Sequence, residues 1–248
     1  MSVLVVDQDR ENVLLEKNST VRRPIASITK LMTAMVVLDA KQPSQELLRI
    51  TDADVDRLKH SRSRLPVGTR LTRAELLHLA LLASENRAAS ALSRNYPGGK
   101  QAFVAAMNRK ARFLGMLSTH FDDPTGLFPS DTSTARDLER MVRAAYTYPT
   151  IRQITSSPEY VLDHQGRLDG VHFRNTNRLV RSEDWTIGLS KTGYIQEAGR
   201  CLVMQVDIAD RPILIVLLHS QGRGSHFVDA ARLRRWIERR VLVSSNGS

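Results

Sequence analysis

A single cysteine in 248 residues leaves no partner for an internal disulfide. Cys201 sits beside the apolar run Leu202-Val203-Met204 and reads as a small core side chain rather than a reactive thiol. No stretch reaches the ~18 apolar residues that cross a bilayer; Ile213 to Leu218 is the longest candidate. A secretory leader is not visible either, because Met1-Ser2 runs straight into the strand-like Val3-Leu4-Val5-Val6, so an exported protein would be in its mature form here. Repeats and low-complexity segments are lacking. There is no Gly-x-Ser-x-Gly elbow for a Ser-His-Asp hydrolase, and none of the seven histidines forms His-Glu-x-x-His. His78, inside an apolar helix, reads as a core or rim histidine. Neither a metal nor an organic cofactor is expected.

Positive charge is abundant. Thirty-six Lys and Arg against 26 Asp and Glu give a net charge of +10 and a pI near 10.2, which suits polyanionic surroundings: nucleic acid, anionic lipid or an acidic wall polymer. With 42% hydrophobic residues the chain can bury roughly 70–75% of its unfolded surface, in one domain or two intimate subdomains.

Val3 to Val6 and Val13 to Leu15 read as a hairpin around Asp7-Gln8-Asp9-Arg10. A helix is expected over Ile25 to Asp39, with Pro24 suited to its first turn. Thr72-x-x-Glu75 is a capping box before the apolar run Leu76 to Leu82. Further helices are expected from Lys100 to Leu114, closed by Gly115, and from Thr134-x-x-Asp137 to Tyr146. Past residue 160 the period changes. Trp185 to Lys191, Arg200 to Ile208 and Ile213 to His219 read as strands, the last two joined by a turn at Ala209-Asp210-Arg211-Pro212. A final helix, Phe227 to Val241, would turn Leu233, Trp236, Ile237 and Val241 inward and Arg232, Arg235 and Arg239 outward. The expected fold is α+β: an antiparallel sheet of about five strands, built from both chain ends (1–30 and 156–248) and flanked by helices, with an inserted helical subdomain (31–155).

On a helix, Ser27 and Lys30 share a face, so hydroxyl and amine come within reach. A neutral lysine can take the proton of a serine nucleophile, but neutrality near pH 7 requires a drop of ~3 pH units, about 4 kcal/mol. Burial in the apolar helix and a second cation such as Lys191 are the two candidate sources. Average composition gives roughly one Ser-x-x-Lys by chance in such a chain. This is the only one here, and it opens a buried helix. Ser84-Glu85-Asn86 presents a hydroxyl and a carboxamide where a hydrophobic helix breaks; Ser93-Arg94-Asn95 and Ser244-Ser245-Asn246 share the spacing but fall in polar turns. Lys191-Thr192-Gly193 occurs once and is expected to end a strand, its glycine leaving room for a substrate backbone along the strand edge.

Those three motifs in this order match the set of penicillin-binding proteins and class A β-lactamases. PIASITKLMTAMVVLDA, LLHLALLASENRAASAL, FDDPTGL, STARDLERMV and GLSKTGYIQEAGRCLV resemble the low-molecular-mass penicillin-binding proteins, the serine D-alanyl-D-alanine peptidases, and most closely their periplasmic endopeptidase branch. The resemblance spans nearly the whole chain and implies that fold. It implies Ser27 as nucleophile, Lys30 as its base and Ser84 as proton relay. Asn86 would orient the substrate amide, Lys191 would tune the electrostatics and Thr192, beside Gly193, would hold the substrate carboxylate. The N–H groups of Ser27 and Tyr194 would form the oxyanion hole, and Asp123-Pro124-Thr125-Gly126 would be structural support. Implied partners are peptidoglycan peptide cross-links and β-lactams, in the periplasm, with at most loose membrane association. Glu-x-x-x-Asn, which would suggest a deacylating base, is absent, so bound penicillin should leave slowly. The chain reaches Ser248 without the added β-domain and anchoring helix of the commoner carboxypeptidases, which favours endopeptidase, with carboxypeptidase as the alternative. A basic binding module centred on Arg232, Arg235, Arg239 and Arg240 is a distant rival, but no nucleic-acid-binding motif accompanies it.

Overall fold

The computed structural model describes residues 1–162 and 170–245, with side chains as far as residue 240. Five strands form one antiparallel sheet: β1 (Ser2–Asp7), β2 (Asn12–Lys17), β3 (Thr186–Ile195), β4 (Gly199–Ile208) and β5 (Arg211–Ser220), in the order β2-β1-β5-β4-β3. The two chain ends meet in the middle of the sheet, where Leu4 faces Val216 and Val6 faces Leu214. Strict alternation in these strands separates two cores. Leu4, Val6, Val203, Leu214 and Val216 face one side; Val3, Val5, Leu202, Met204, Ile213 and Ile215 face the other.

Among the described residues seven α-helices accompany the sheet: α1 (Thr29–Asp39), α2 (Arg73–Leu82), α3 (Asn86–Arg94), α4 (Gly99–Phe113), α5 (Ala135–Tyr146), α6 (Pro149–Ser156) and α7 (Ser225–Ser245). Nearly every side chain of α1 is buried, so its sequence is apolar all round and carries almost no amphipathic signal. The Thr72 capping box forms as expected, with Thr72 Oγ1 accepting from Glu75 N–H at 3.1 Å. The closing helix α7 covers the second core with Phe227, Ala230 and Ile237, while Arg232, Arg235 and Arg239 face solvent. It continues past Val241, its expected end, to Ser245; the Val241 side chain and Asn246 lie outside the described residues.

Three local expectations are corrected. Pro24 does not open a helix: Arg23–Pro24 pairs with Thr132–Ser133, and the Ile25 N–H donates to the Asp131 carbonyl. Helix α1 is instead preceded by a 3₁₀ turn, Ala26–Ile28, which contains Ser27. Lys191-Thr192-Gly193 does not end a strand. β3 runs on to Ile195, with Lys191 opposite Val203, Thr192 opposite Leu202 and Gly193 opposite Cys201. The strands after Ala209-Asp210 resume at Arg211, because both turn residues take positive φ (52° and 58°), the geometry of a two-residue hairpin turn. Helix α6 follows from Pro149 at its first turn and gave no periodic signal of its own.

Candidate active site

Ser27 and Lys30 remain one turn apart because positions i and i+3 eclipse in a 3₁₀ turn as they neighbour in an α-helix. Lys30 Nζ lies 2.9 Å from Ser27 Oγ, 2.7 Å from Asn86 Oδ1 and 2.6 Å from the Thr125 carbonyl oxygen. The last two oxygens only accept, so they use two N–H groups of the amine. The third direction points to Ser27, and in the neutral amine it carries a lone pair toward the hydroxyl. Lys30 is fully buried, and burial brings its pKa from 10.5 down to about 8 against the opposing pull of Asp123, Glu85, Asp131 and Asp56. That drop corresponds to about 3 kcal/mol, close to what a lysine base needs. Of the two sources expected, burial acts; Lys191 does not figure among the causes, because the carboxylates around Lys30 favour its charge while Lys191 is itself pushed toward neutrality.

Lys191 forms the second serine–lysine pair. Its Nζ donates to Ser84 Oγ at 2.9 Å and to the Thr192 carbonyl at 3.1 Å. Burial and then the charge of Lys30 hold its pKa well below 10.5. Ser84 occupies the break between α2 and α3 at φ +60°, a left-handed conformation that a serine adopts at a cost of order 1 kcal/mol. Asn86, the first residue of α3, has its carboxamide oriented from both ends, since Nδ2 donates to Ser61 Oγ at 2.8 Å. Buried Glu85 between them accepts from Ser63 Oγ and the Arg64 N–H, fixing the 63–64 loop under the turn. The eight expected residues thus surround one locus: Ser27, Ser84, Thr192, Gly193 and exposed Tyr194 line the cleft, Lys30 and Lys191 lie beneath it, and Asn86 borders it through Lys30.

Two glycines hold the serine turn in place. Beside the expected room for a substrate backbone, Gly193 has a reason within the fold: a Cβ there would stand 2.9 Å from the Ile25 carbonyl oxygen and 3.1 Å from Ser27 N. The strand edge packs on the backbone of the serine turn itself. At Gly126 the fit is tighter, with φ +80° and a hypothetical Cβ 1.9 Å from the Ala26 carbonyl oxygen. Its loop is anchored by Asp123, which accepts from the N–H groups of Thr125 and Gly126, and by Asp131, which accepts from Thr29 Oγ1. Asp131 is pushed up to about 8 by burial and by the neighbouring Asp123 carboxylate. Gly126→Ala is therefore expected to cost about 3 kcal/mol or more, lowering the melting temperature by roughly 6–12 °C and slowing acylation, as a thermal melt and a labelling rate would show.

The cleft above Ser27 and Ser84 has a volume of about 510 Å³, and one wall was not legible in the sequence: Thr176, Arg178, Arg200, Arg223 and His226. They come from three separate segments, and only Arg200, one turn of the strand hairpin beyond Tyr194, lies near a motif. Thr192 Oγ1 and Thr176 Oγ1 are hydrogen-bonded at 2.7 Å. Cys201 is buried with its thiol raised to about 11, inert as expected. Among the described residues no group of three or more His, Cys, Asp or Glu could hold a metal ion.

A cleft serine bonded to a buried lysine, on this antiparallel sheet, defines the class of serine peptidases that use no histidine base. The chain belongs to the D-alanyl-D-alanine carboxypeptidase family, peptidase family S11, whose model matches residues 1–222. It is 48% identical to a D-alanyl-D-alanine endopeptidase of Pseudomonas aeruginosa, over 96% of this chain and 76% of that protein. It is 44% identical to one of Escherichia coli over the same shares. The crystal structure of the Streptomyces K15 DD-transpeptidase superposes with a TM-score of 0.85 at 28% identity, covering 94% of this chain and 95% of that one.

Proposed function

We propose that this serine peptidase is a D-alanyl-D-alanine endopeptidase that cuts the peptide cross-links of peptidoglycan in the periplasm. The observation that carries the chemistry is the 2.9 Å contact between Lys30 Nζ and Ser27 Oγ on a lysine whose other two partners can only accept. The likeness to two endopeptidases supports the choice of bond, and the +10 charge suits an anionic wall. Ser27 attacks the D-alanyl carbonyl as Lys30 takes its proton. The N–H groups of Ser27 and Tyr194 receive the developing oxyanion, each such donor being worth ~10²–10³ in rate. Ser84, bonded to Lys191, delivers its proton to the leaving amine, and the proton that Lys30 took from Ser27 replaces it, which leaves Lys30 neutral for the second half of the reaction. Asn86 orients the substrate amide, and Thr192 takes the carboxylate of the residue being released. Water then opens the acyl-enzyme with Lys30 again as base. A β-lactam follows the first half of this path and remains as a slowly released adduct on Ser27.

Digestion of cross-linked muropeptides beside monomeric pentapeptides tests the choice of bond. Cleavage of the cross-linked dimers is expected to dominate. Release of free D-alanine with the cross-links left intact would instead identify a carboxypeptidase.

A further inference from the structure

Three guanidinium groups line the side of the cleft adjoining Thr192, and none has a carboxylate partner among the described residues: Arg178, Arg200 and Arg223. Two are seated on aromatic faces, Arg200 at 3.9 Å from the Tyr194 ring centroid and Arg178 at 5.0 Å from that of Phe227. Stacking fixes the plane of a guanidinium and leaves its N–H edge for an anion. His226 lines the same cleft, only 5% exposed, its ring tilted by 37° against that of Phe227 with centroids 3.9 Å apart and its Nδ1 buried and unpartnered. A buried ring nitrogen without a partner is uncommon, and this one belongs to a side chain that lines the cleft. Burial first, and then the charges of Arg200 and Arg178, hold its pKa down to about 4, so the ring is neutral and the positive charge of this wall is carried by the arginines.

One carboxylate, taken by Thr192, does not account for this wall. A released D-alanine carries a single carboxylate. The peptide released from a cross-link carries at least one more, on the stem that bears the liberated amine. We infer that Arg178, Arg200 and His226 form a second carboxylate subsite, beyond Thr192, that selects a leaving peptide bearing two or more carboxylates over single D-alanine. Arg223, exposed at the cleft rim, adds to the field that draws such a peptide in. The inference rests on the proposed endopeptidase reading and names the residues that would make the site prefer cross-links.

The test compares kcat/KM for a synthetic cross-linked peptide dimer with that for the same dimer whose leaving stem has its additional carboxylates amidated, at low salt. The unaltered protein is expected to prefer the carboxylate form by at least tenfold, since a charge-assisted pair in a partly enclosed cleft is stronger than a neutral contact. The Arg178→Gln, Arg200→Gln double variant, checked for folding by its thermal melt, should reduce that preference to less than threefold, chiefly through KM. Equal cleavage of both dimers by the unaltered protein would overturn the subsite while leaving the endopeptidase reading standing, and so would a preference that survives the double variant. Cleavage of neither dimer would remove the endopeptidase reading and the subsite with it. Should the double variant not fold, the single variants Arg178→Gln and Arg200→Gln, each expected to lower the preference, take its place.

Discussion

Ser27→Ala is expected to abolish both peptide cleavage and penicillin labelling, with kcat falling at least ~10⁴-fold. Removal of Oγ takes away the cleft-facing atom that is bonded to Lys30 Nζ, at 2.9 Å. It takes away little else: Lys30 keeps its bonds to Asn86 and Thr125, and loss of one hydrogen bond costs about 1 kcal/mol, so the variant should fold. Thermal melting of the variant, alongside single-turnover cleavage, separates the two effects. Activity above about one hundredth of the parent's would move the nucleophile elsewhere, and Ser84, bonded to Lys191 at 2.9 Å, is the alternative that the geometry offers.

Lys30→Arg should be nearly as damaging, by ~10²–10⁴ in kcat/KM, because a guanidinium keeps the positive charge but cannot take a proton. An electrostatic role alone would survive that change; a base would not. The same group sets the pH profile. With a folded pKa of about 8, the neutral amine grows tenfold per pH unit below that value, so kcat/KM should rise with pH and level off above about 8. Stability follows with the same sign. The folded pKa lies below the unfolded value of 10.5, so the burial penalty is present in full below pH 8 and is relieved between about 8 and 10.5. Lys191, depressed by burial and by Lys30, adds to the trend in the same direction. A rate profile that is flat or falling between pH 6 and 8 would exclude Lys30 as the base.

The sheet was legible because its central strands, buried on both faces, are apolar runs rich in β-branched residues, with Val203 facing one core and Met204 the other. The helices with caps were legible too, Thr72 and Thr134 each accepting from the N–H three residues on. The short pairings were not. Leu47–Arg49 with Arg70–Thr72, and Arg23–Pro24 with Thr132–Ser133, are held by partners far away in sequence and carry no period of their own. At the site, the three motifs stand out because a hydroxyl, a carboxamide and two amines are placed in otherwise apolar runs. The packing reason for Gly193 was not legible, since only the folded chain brings Ile25 to Ser27 against the strand. The Thr125 carbonyl, a third partner of Lys30, is a backbone group and has no residue-type signal at all. Arg178 and Arg200 were hidden among 36 lysines and arginines and His226 among seven histidines, and the lack of carboxylate partners at the two arginines is a fact of three dimensions.

The central claim, that Ser27 is the nucleophile made reactive by Lys30, is tested most directly by peptide mapping of the protein after reaction with benzylpenicillin at pH 8. One adduct with the mass of the intact drug is expected, on the peptide that contains Ser27, and it should form about fifteenfold more slowly at pH 6.5. An adduct on Ser84 or on any other residue, or no adduct at all, would contradict it.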